Sequence, residues 1–272
     1  LGAFFLKLLV YSTGDPAGVN IAAHLQEKLP FSQSEFNSKP ALKCGDMTLQ
    51  GIDGRLVYLD MPIPGVEWIL CLSRHASASG KPCLTSHTPG NLTSSAELGG
   101  NPNEVGISNP ALQTSLIKEL SRSQADLGLT CQVTVEATHH GPSALAAPVT
   151  FVEIGSDEGA WKDETLGEAV ASAVHRAISS PLASSPGALA VGGGHYSQKF
   201  SKIMQEGRQE IGHIVPKYAL DEKAGISIFR SCIERTRGGC SSIVVDWKGT
   251  NSTSKEALRE LAASLGIELI KV

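Results

Sequence analysis

Short apolar runs alternate along this chain with stretches whose apolar residues recur every three or four positions. The first pattern predicts strands and the second amphipathic helices. Residues 1–10 are apolar apart from Lys7 and read as a first strand. They lack the basic start and small-residue cleavage site of a signal peptide. The run closes at Thr13-Gly14-Asp15-Pro16, and a helix follows over residues 17–29, with Ile21, Ala22, Leu25 and Leu29 on one face. Residues 56–59 and 68–72 read as short strands, separated by a segment in which Pro62 and Pro64 forbid regular structure. Asn109 is a helix cap with Pro110 at the first position; Leu112, Leu116, Leu120 and Leu127 line that helix, and Gly128 ends it. Residues 129–137 alternate as a strand does, and 149–154 form another.

The clearest helix covers residues 163–178, with Leu166, Ala169, Val170, Ala173, Val174, Ala177 and Ile178 on its apolar face. A Ser/Pro loop at 179–187 leads into a strand at 188–191, then three glycines and a helix starting near His195. Strands at 211–215 and 242–246 flank a helix near 220–233. The last helix opens on the capping box Thr253-x-x-Glu256, ends at Gly266 and is followed by a strand at 267–271. Strands alternating with helices argue for a three-layer α/β architecture with a mostly parallel sheet. No internal repeat or composition shift marks a boundary, so residues 1–272 read as one domain. Residues 73–107 stand apart: prolines and glycines leave no helix or strand of any length, and so long a loop in a compact domain is a functional or a disordered one.

Composition narrows the class. With 41% apolar and 18% charged residues, the chain is globular rather than disordered or fibrous. A net charge of −4 argues against a generally basic DNA or RNA binder, so any RNA contact needs a local patch, for which Arg74, Lys81, Lys199, Lys202 and Lys217 are candidates. Six cysteines without a CxxC spacing fit a reducing compartment. No apolar run is long enough to span a membrane. The 28 glycines point to tight turns and close backbone approaches.

Candidate chemistry gathers at strand ends, where ligands bind in open α/β sheets. Glu136 ends a strand and His139-His140 follow it before Gly141-Pro142 turns the chain. Imidazoles beside a carboxylate serve as metal ligands or as a general base with its orienter; a surface His plus a hydrogen-bonding loop His is the plain alternative. Gly192-Gly193-Gly194-His195 places flexible backbone before a helix start, suited to a phosphate or a developing oxyanion, or to an ordinary tight turn. Lys199 lies one helical turn beyond His195, and its plain reading is a solvated charge. The loop from Ser73 offers Arg74, His75, Lys81, His87 and Asn91, and Glu153 ends another apolar strand. His213 reads as a packing residue. No nucleophile elbow, P-loop or dinucleotide fingerprint occurs.

Taken in order, EATHHGP (136–142), FVEIGS (151–156) with Trp161, GGGHY (192–196) with Lys199, and GHIVPKY (212–218) resemble the D-aminoacyl-tRNA deacylases of the archaeal and plant type. The loop from Ser73 and the turn from Asp15 are similar to that family as well, although Ala76 stands where a Ser is expected. The resemblance implies a phosphorylase/hydrolase-like α/β/α fold with a mixed sheet. It implies hydrolysis of the ester joining a D-amino acid to the 3′ end of tRNA, zinc as cofactor, and a cytoplasmic setting. On that basis His139 and His195 are expected as metal ligands, and His87, Glu136, His140 and Glu153 as catalytic groups. Asn91, Gly193, Gly194 and Lys199 are expected to bind substrate. Ligand and base are not distinguished among the histidines. A monomer acting without membrane or DNA is expected. Two other readings stay open: a metal-dependent peptidase or amidohydrolase of the same fold group, and a metal-free esterase in which His and Asn activate water.

Overall fold

The structure is a computed structural model, and it describes residues 6–78, 80–179, 182, 185–221 and 225–272. The start of the first apolar run, residues 180, 181, 183 and 184 of the Ser/Pro loop, Ser79 of the long loop and residues 222–224 of the expected helix lie outside them. In chain order the elements are β1 (Leu6–Ser12), α1 (Pro16–Lys28), β2 (Ser32–Phe36), β3 (Lys39–Cys44), β4 (Met47–Ile52), β5 (Val66–Ala76), β6 (Cys83–His87), α2 (Pro110–Asp126), β7 (Gln132–Val135) and β8 (Val149–Ser156). There follow α3 (Glu158–Trp161), α4 (Glu164–Ser179), β9 (Gly187–Val191), α5 (Gln198–Gln205), β10 (Ile211–Val215), α6 (Lys217–Asp221), α7 (Ile226–Glu234), β11 (Cys240–Val245), α8 (Ser252–Leu265) and β12 (Glu268–Lys271).

Where one sheet was expected, these strands form two. The large sheet runs β2-β3-β4-β1-β5-β8-β6-β7 and the small one β10-β9-β11-β12. The small sheet is parallel throughout, while the large one turns antiparallel at its β2–β3–β4 edge and between β8 and β6. The fold is mixed α/β, mostly parallel, with helices around the sheets. Its central strands are buried on both faces, which is why they read as continuous apolar runs. In β5, Trp68, Leu70 and Leu72 pack against α1, α2 and α4, whereas Ile69 and Cys71 join Leu8, Val10, Val149 and Phe151 on the opposite face. Among the described residues no α-helix covers that second face; Leu56 of a short 3₁₀ turn, Leu59 and Ala147 do. Helix α2 sits between the sheets. Leu112, Leu116 and Leu120 face the large sheet, and Ile117 joins Ala188, Ala190, Ile211 and Val244 of the small one.

Several expectations need correction. Residues 56–59 form a 3₁₀ turn at Leu56–Tyr58, too short and too close to the prolines to pair as a strand. The segment 73–107 is not strandless: β5 runs on to Ala76, and β6 lies wholly within it, paired with β7 and β8. Its polar residues hid β6, because Thr85, Ser86 and His87 are buried between neighbouring strands. Strands β2, β3 and β4 carry mixed polarity at a sheet edge and gave no periodic signal. The helix expected near His195 begins at Gln198, capped by the Ser197 side chain. The helix expected near 220–233 is represented by two short helices, α6 and α7. Asn251, not the Thr253 capping box, caps α8: its side chain accepts from the Ser254 N–H at 2.8 Å.

Candidate active site

Strand parity places the first group of polar side chains. In β5, Ser73 and His75 continue the side of the sheet that carries Ile69 and Cys71, because alternate residues face the same way. Register sets Ser73 beside Glu153 of β8, and Thr85 of β6 beside Glu153 from the other flank. His87 lies opposite Phe151, its ring stacked on the phenyl at 5.0 Å between centroids. One row across three strands therefore carries Ser73, Glu153 and Thr85, flanked by His75 and His87.

A second group comes from turns where the two sheets meet. Beyond β7, Ala137 N–H donates to the His195 carbonyl at 2.8 Å, and Ser197 N–H donates to the Val135 carbonyl at 3.2 Å. These bonds stitch the end of β7 to the turn after β9 and bring Glu136 to His195. His139 and His140 need a sharper device. His140 has φ +44°, a left-handed conformation that is rare outside glycine and is found where structure imposes it. What imposes it is the 88–106 segment wrapped against the turn. Gly90 N–H donates to the His140 carbonyl at 2.6 Å, and Gly141 N–H to the Leu98 carbonyl at 3.0 Å. A Cβ on Gly141 would lie 2.4 Å from Gly100 N and 2.5 Å from the Val57 carbonyl oxygen. Only glycine fits this approach.

The two groups converge on a cleft of about 690 Å³ whose walls include His75, His139, His140, Glu153, His195 and Tyr196. Glu136 Oε2 accepts from His195 Nε2 at 2.8 Å and lies 3.8 Å from His139 Nε2. His75 Nδ1 stands between the two carboxylates, 3.4 Å from Glu136 Oε1 and 3.6 Å from Glu153 Oε2. Its Nε2 meets the Tyr196 hydroxyl at 2.5 Å. His139 Nδ1 donates to the Ala137 carbonyl at 2.8 Å, and His140 Nδ1 to the Gly141 carbonyl at 2.6 Å. A carbonyl can only accept, so each Nδ1 carries its proton and each Nε2 is left as a lone pair. The Nε2 atoms of His87 and His140 are 3.2 Å apart.

Electrostatics separate these groups. Burial, reinforced by the neighbouring imidazoles, holds His87 well below the usual histidine range. Burial likewise takes His139 down to about 4 and His140 down to about 3. These three are neutral at pH 7, the state a metal ligand needs. Burial pushes Glu136 up, but the His195 hydrogen bond and the His139, His75 and His195 charges outweigh it, leaving the carboxyl at about 2. Burial wins at Glu153 and raises it to about 7, with the Glu136 charge adding to the rise. Burial lowers His75 too, yet the hydrogen bond to Glu153 and both carboxylate charges carry it above the ordinary value.

Among the described residues four sets of donors are close enough to hold a cation: His24, Glu27 and Glu168 away from the cleft, and three at the cleft, one of which is His75, Glu136 and Glu153. In His87, His139 and His140, and again in Glu136, His139 and His195, the ligand atoms lie within 4.8 Å of one another. The three-histidine set suits zinc on its chemistry. Three neutral imidazoles are a catalytic zinc set, two of them oriented by Nδ1–H bonds to carbonyls. The 3.2 Å between the His87 and His140 nitrogens is close to the ligand–ligand edge of a tetrahedron built on zinc–nitrogen bonds of about 2.0 Å. The His140 lone pair at that distance calls for a proton from His87 Nε2 or for a shared cation.

The remaining expected site residues fare differently. The Asn91 amide donates to the Gly99 and Asn101 carbonyls at 2.8 and 3.2 Å, so it fastens the long segment rather than presenting itself to the cleft. Lys199 is drawn to Asp246 Oδ1 at 2.5 Å and does not line the cleft; with the helix starting at Gln198, it shares no helical face with His195. Gly193 and Gly194 are not cleft residues either. Gly193 (φ +76°) accepts from Lys217 N–H at 2.8 Å in the turn that carries His195. His213 packs as expected: it is fully buried, bonded to Thr138 Oγ1 at 3.2 Å and held down at about 4 by burial. Sequence reasoning named His75 among the loop candidates and Tyr196 within a motif but gave neither a role in the site. The signal for His75 was its odd-position alternation with Ile69, Cys71 and Ser73, which required reading β5 past Leu72. At one end of the cleft Arg74 stacks on Trp161, 5.0 Å from its ring centroid, and Asp15 caps α1 while accepting from Arg74 N–H at 3.0 Å.

The family profile described as D-aminoacyl-tRNA deacylase matches residues 64–270. A protein of that name from Thermoplasma acidophilum is 34% identical over 268 residues, covering 98% of this chain and 100% of the relative. One from Pyrococcus horikoshii is 34% identical over 280 residues, with 98% and 100% covered. The crystal structure of a conserved protein of unknown function, AF0625, superposes with a TM-score of 0.89 at 29% identity, covering 98% of this chain and 95% of that one. With the profile matching most of the chain and the relatives nearly all of it, the chain belongs to the D-aminoacyl-tRNA deacylase family.

Proposed function

We propose that this protein hydrolyses the ester between a D-amino acid and the 3′-terminal ribose of tRNA, releasing the free amino acid and tRNA with its hydroxyl restored. The observation that carries this reading is the convergence of five histidines and two buried glutamates on one cleft in a chain of this family. His87, His139 and His140 would hold a zinc ion. Bound there, zinc would supply Lewis acidity, polarising the ester carbonyl and lowering the pKa of water toward 7. The chain's own groups do the rest. Glu136, kept ionised, holds His195 by its Nε2–H and leaves Nδ1 facing the Tyr218 hydroxyl at 3.2 Å. This Glu136–His195 pair takes the proton of the attacking water and returns it to the ribose oxygen as the ester C–O bond breaks. His75, braced by both glutamates, fixes the Tyr196 hydroxyl at the cleft wall. The Arg74–Trp161 stack offers a face for the terminal adenine.

In the metal-free reading Asn91 would have only its Oδ1 to offer a water, because its Nδ2 donates to two loop carbonyls. Deacylation of matched D- and L-tyrosyl-tRNA, with and without chelator, tests the proposal. Rapid loss of D-tyrosine that stops on chelation and returns with zinc is expected. Equal rates on both enantiomers, or full activity after exhaustive chelation, would sink the chiral or the zinc part respectively.

A further inference from the structure

Two members of the candidate RNA patch read from the sequence are charge-paired: Lys199 with Asp246, and Lys202 3.8 Å from Glu206. A different basic cluster appears at the carboxyl end of the small sheet. Trp247 follows β11, and three cations surround its indole. Lys271 Nζ lies 4.5 Å from the ring centroid, Lys255 Nζ 4.9 Å and the Arg259 guanidinium carbon 5.1 Å. Lys248 is exposed beside them. Cation–π contacts occur about once per 70–80 residues, so three on one ring is a concentration rather than a background occurrence. Arg259 has Glu256 at 2.7 Å, but among the described residues neither Lys255 nor Lys271 has a carboxylate within ion-pair distance. In a chain of net charge −4, like charges gathered this way repel one another. The indole offsets part of that repulsion, and a polyanion would remove the rest.

The cluster's position relates it to the cleft. Val245 and Lys271 are register partners, and Trp247 N–H donates to the Val272 carbonyl at 3.1 Å. The turn after Trp247 packs on the glycine turn that carries His195, since a Cβ on Gly249 would lie 2.7 Å from Gly193 N. Patch and cleft therefore share one end of the small sheet. A bilayer surface would call for exposed apolar side chains to insert, and here the indole is half-buried under its cations. Phosphates spaced along an RNA backbone match such a cluster of cations better.

We propose that Trp247, Lys255, Arg259 and Lys271 form a docking surface for the phosphate backbone of the tRNA acceptor stem, holding it while the 3′ end occupies the cleft. The choice of stem rests on the deacylase reading, whereas the affinity for RNA does not. The test measures binding of uncharged tRNA to wild type and to a Lys255→Gln/Arg259→Gln/Lys271→Gln variant by fluorescence anisotropy across a salt series. Three lost phosphate contacts should weaken binding at least about tenfold and reduce the slope of log affinity against log salt by roughly 2–3. Hydrolysis of D-tyrosyl-adenosine, which has no stem, should stay at the wild-type rate, while KM for D-tyrosyl-tRNA rises. A Lys255→Arg/Lys271→Arg variant should bind tRNA normally, separating lost charge from lost folding. Unchanged affinity and slope in the triple variant would overturn the proposal, as would loss of binding to phosphatidylserine vesicles with tRNA binding intact. If wild type fails to deacylate D-tyrosyl-tRNA while the triple variant still loses tRNA affinity, the deacylase reading falls and the surface stands.

Discussion

The two buried glutamates of the cleft are chemical twins in opposite states. Glu153 lies within β8, locked between Ser73 and Thr85 by strand register, and burial lifts its carboxyl to about 7. Glu136 lies just past β7 where the sheets meet, and although burial pushes it up, its histidine neighbours hold it at about 2. His75 touches both. The difference teaches that burial alone does not set a carboxylate's charge; the groups gathered around it do. It also separates two ways of building a site. The strand side is rigid because its positions are fixed by pairing. The turn side depends on glycines, a left-handed histidine and a wrapped segment.

The largest effect should come from His139, which belongs to both the three-histidine set and the Glu136–His139–His195 set. His139→Ala should reduce the single-turnover rate on D-tyrosyl-tRNA by about 10²–10⁴-fold, with an unchanged circular dichroism spectrum. A wild-type rate would show that the turn side does not carry the chemistry. Next comes the glycine packing of that side. Gly141→Ala places a Cβ against immovable backbone at 2.4 Å. It should cost about 1–3 kcal/mol in chemical denaturation, with activity falling alongside. Gly194→Ala meets nothing within 4 Å and should be near neutral in the same assay.

The glutamates themselves should titrate stability in opposite directions, read by thermal unfolding in the presence of chelator. The folded pKa of Glu136 lies below its unfolded value of about 4.5, so its contribution is present above that pH and lost as pH falls toward 2. Glu136→Gln should therefore destabilise at pH 7, with the gap closing in acid. The folded pKa of Glu153 lies above its unfolded value, so its contribution is present below about 4.5 and lost as pH rises through 7. Glu153→Gln should raise the midpoint at pH 8 relative to wild type and change little at pH 4. Matching pH profiles for the two variants would erase the contrast. The smallest effect is expected at Lys199→Ala. Its partner is Asp246 and not the cleft, so kcat should stay within about twofold, as at surface sites generally.

Much of the scaffold was legible from the chain. The helix at α2 was readable from Asn109, Pro110 and its leucines, β10 was found at its observed bounds, and α4 was displaced by a single residue at each end. Periodicity works there because one face is buried and the other solvated. It fails at β6, where polar residues are buried, and at β2–β4, where an edge leaves no clean alternation. Among site residues, Glu136, His139, His140, Glu153 and His195 line or adjoin the cleft, and His87 closes it from behind. Asn91, Gly193, Gly194 and Lys199 carried the motif signal yet serve the turns and surface around it.

Imidazoles and carboxylates beside glycine turns at strand ends are local features, so the chain alone marks which residues are able to do chemistry. Motif order across the chain was enough to indicate the family. Tertiary structure alone decided how the chemistry is divided. Whether a histidine is neutral, which nitrogen bears its proton, and whether a glutamate is ionised depend on neighbours from distant segments and on the water those neighbours exclude. Glu136 and His195 meet only because β7 is stitched to a turn of the other sheet. Lys255, Arg259 and Lys271 become one patch only because α8 and β12 bring them to the same indole.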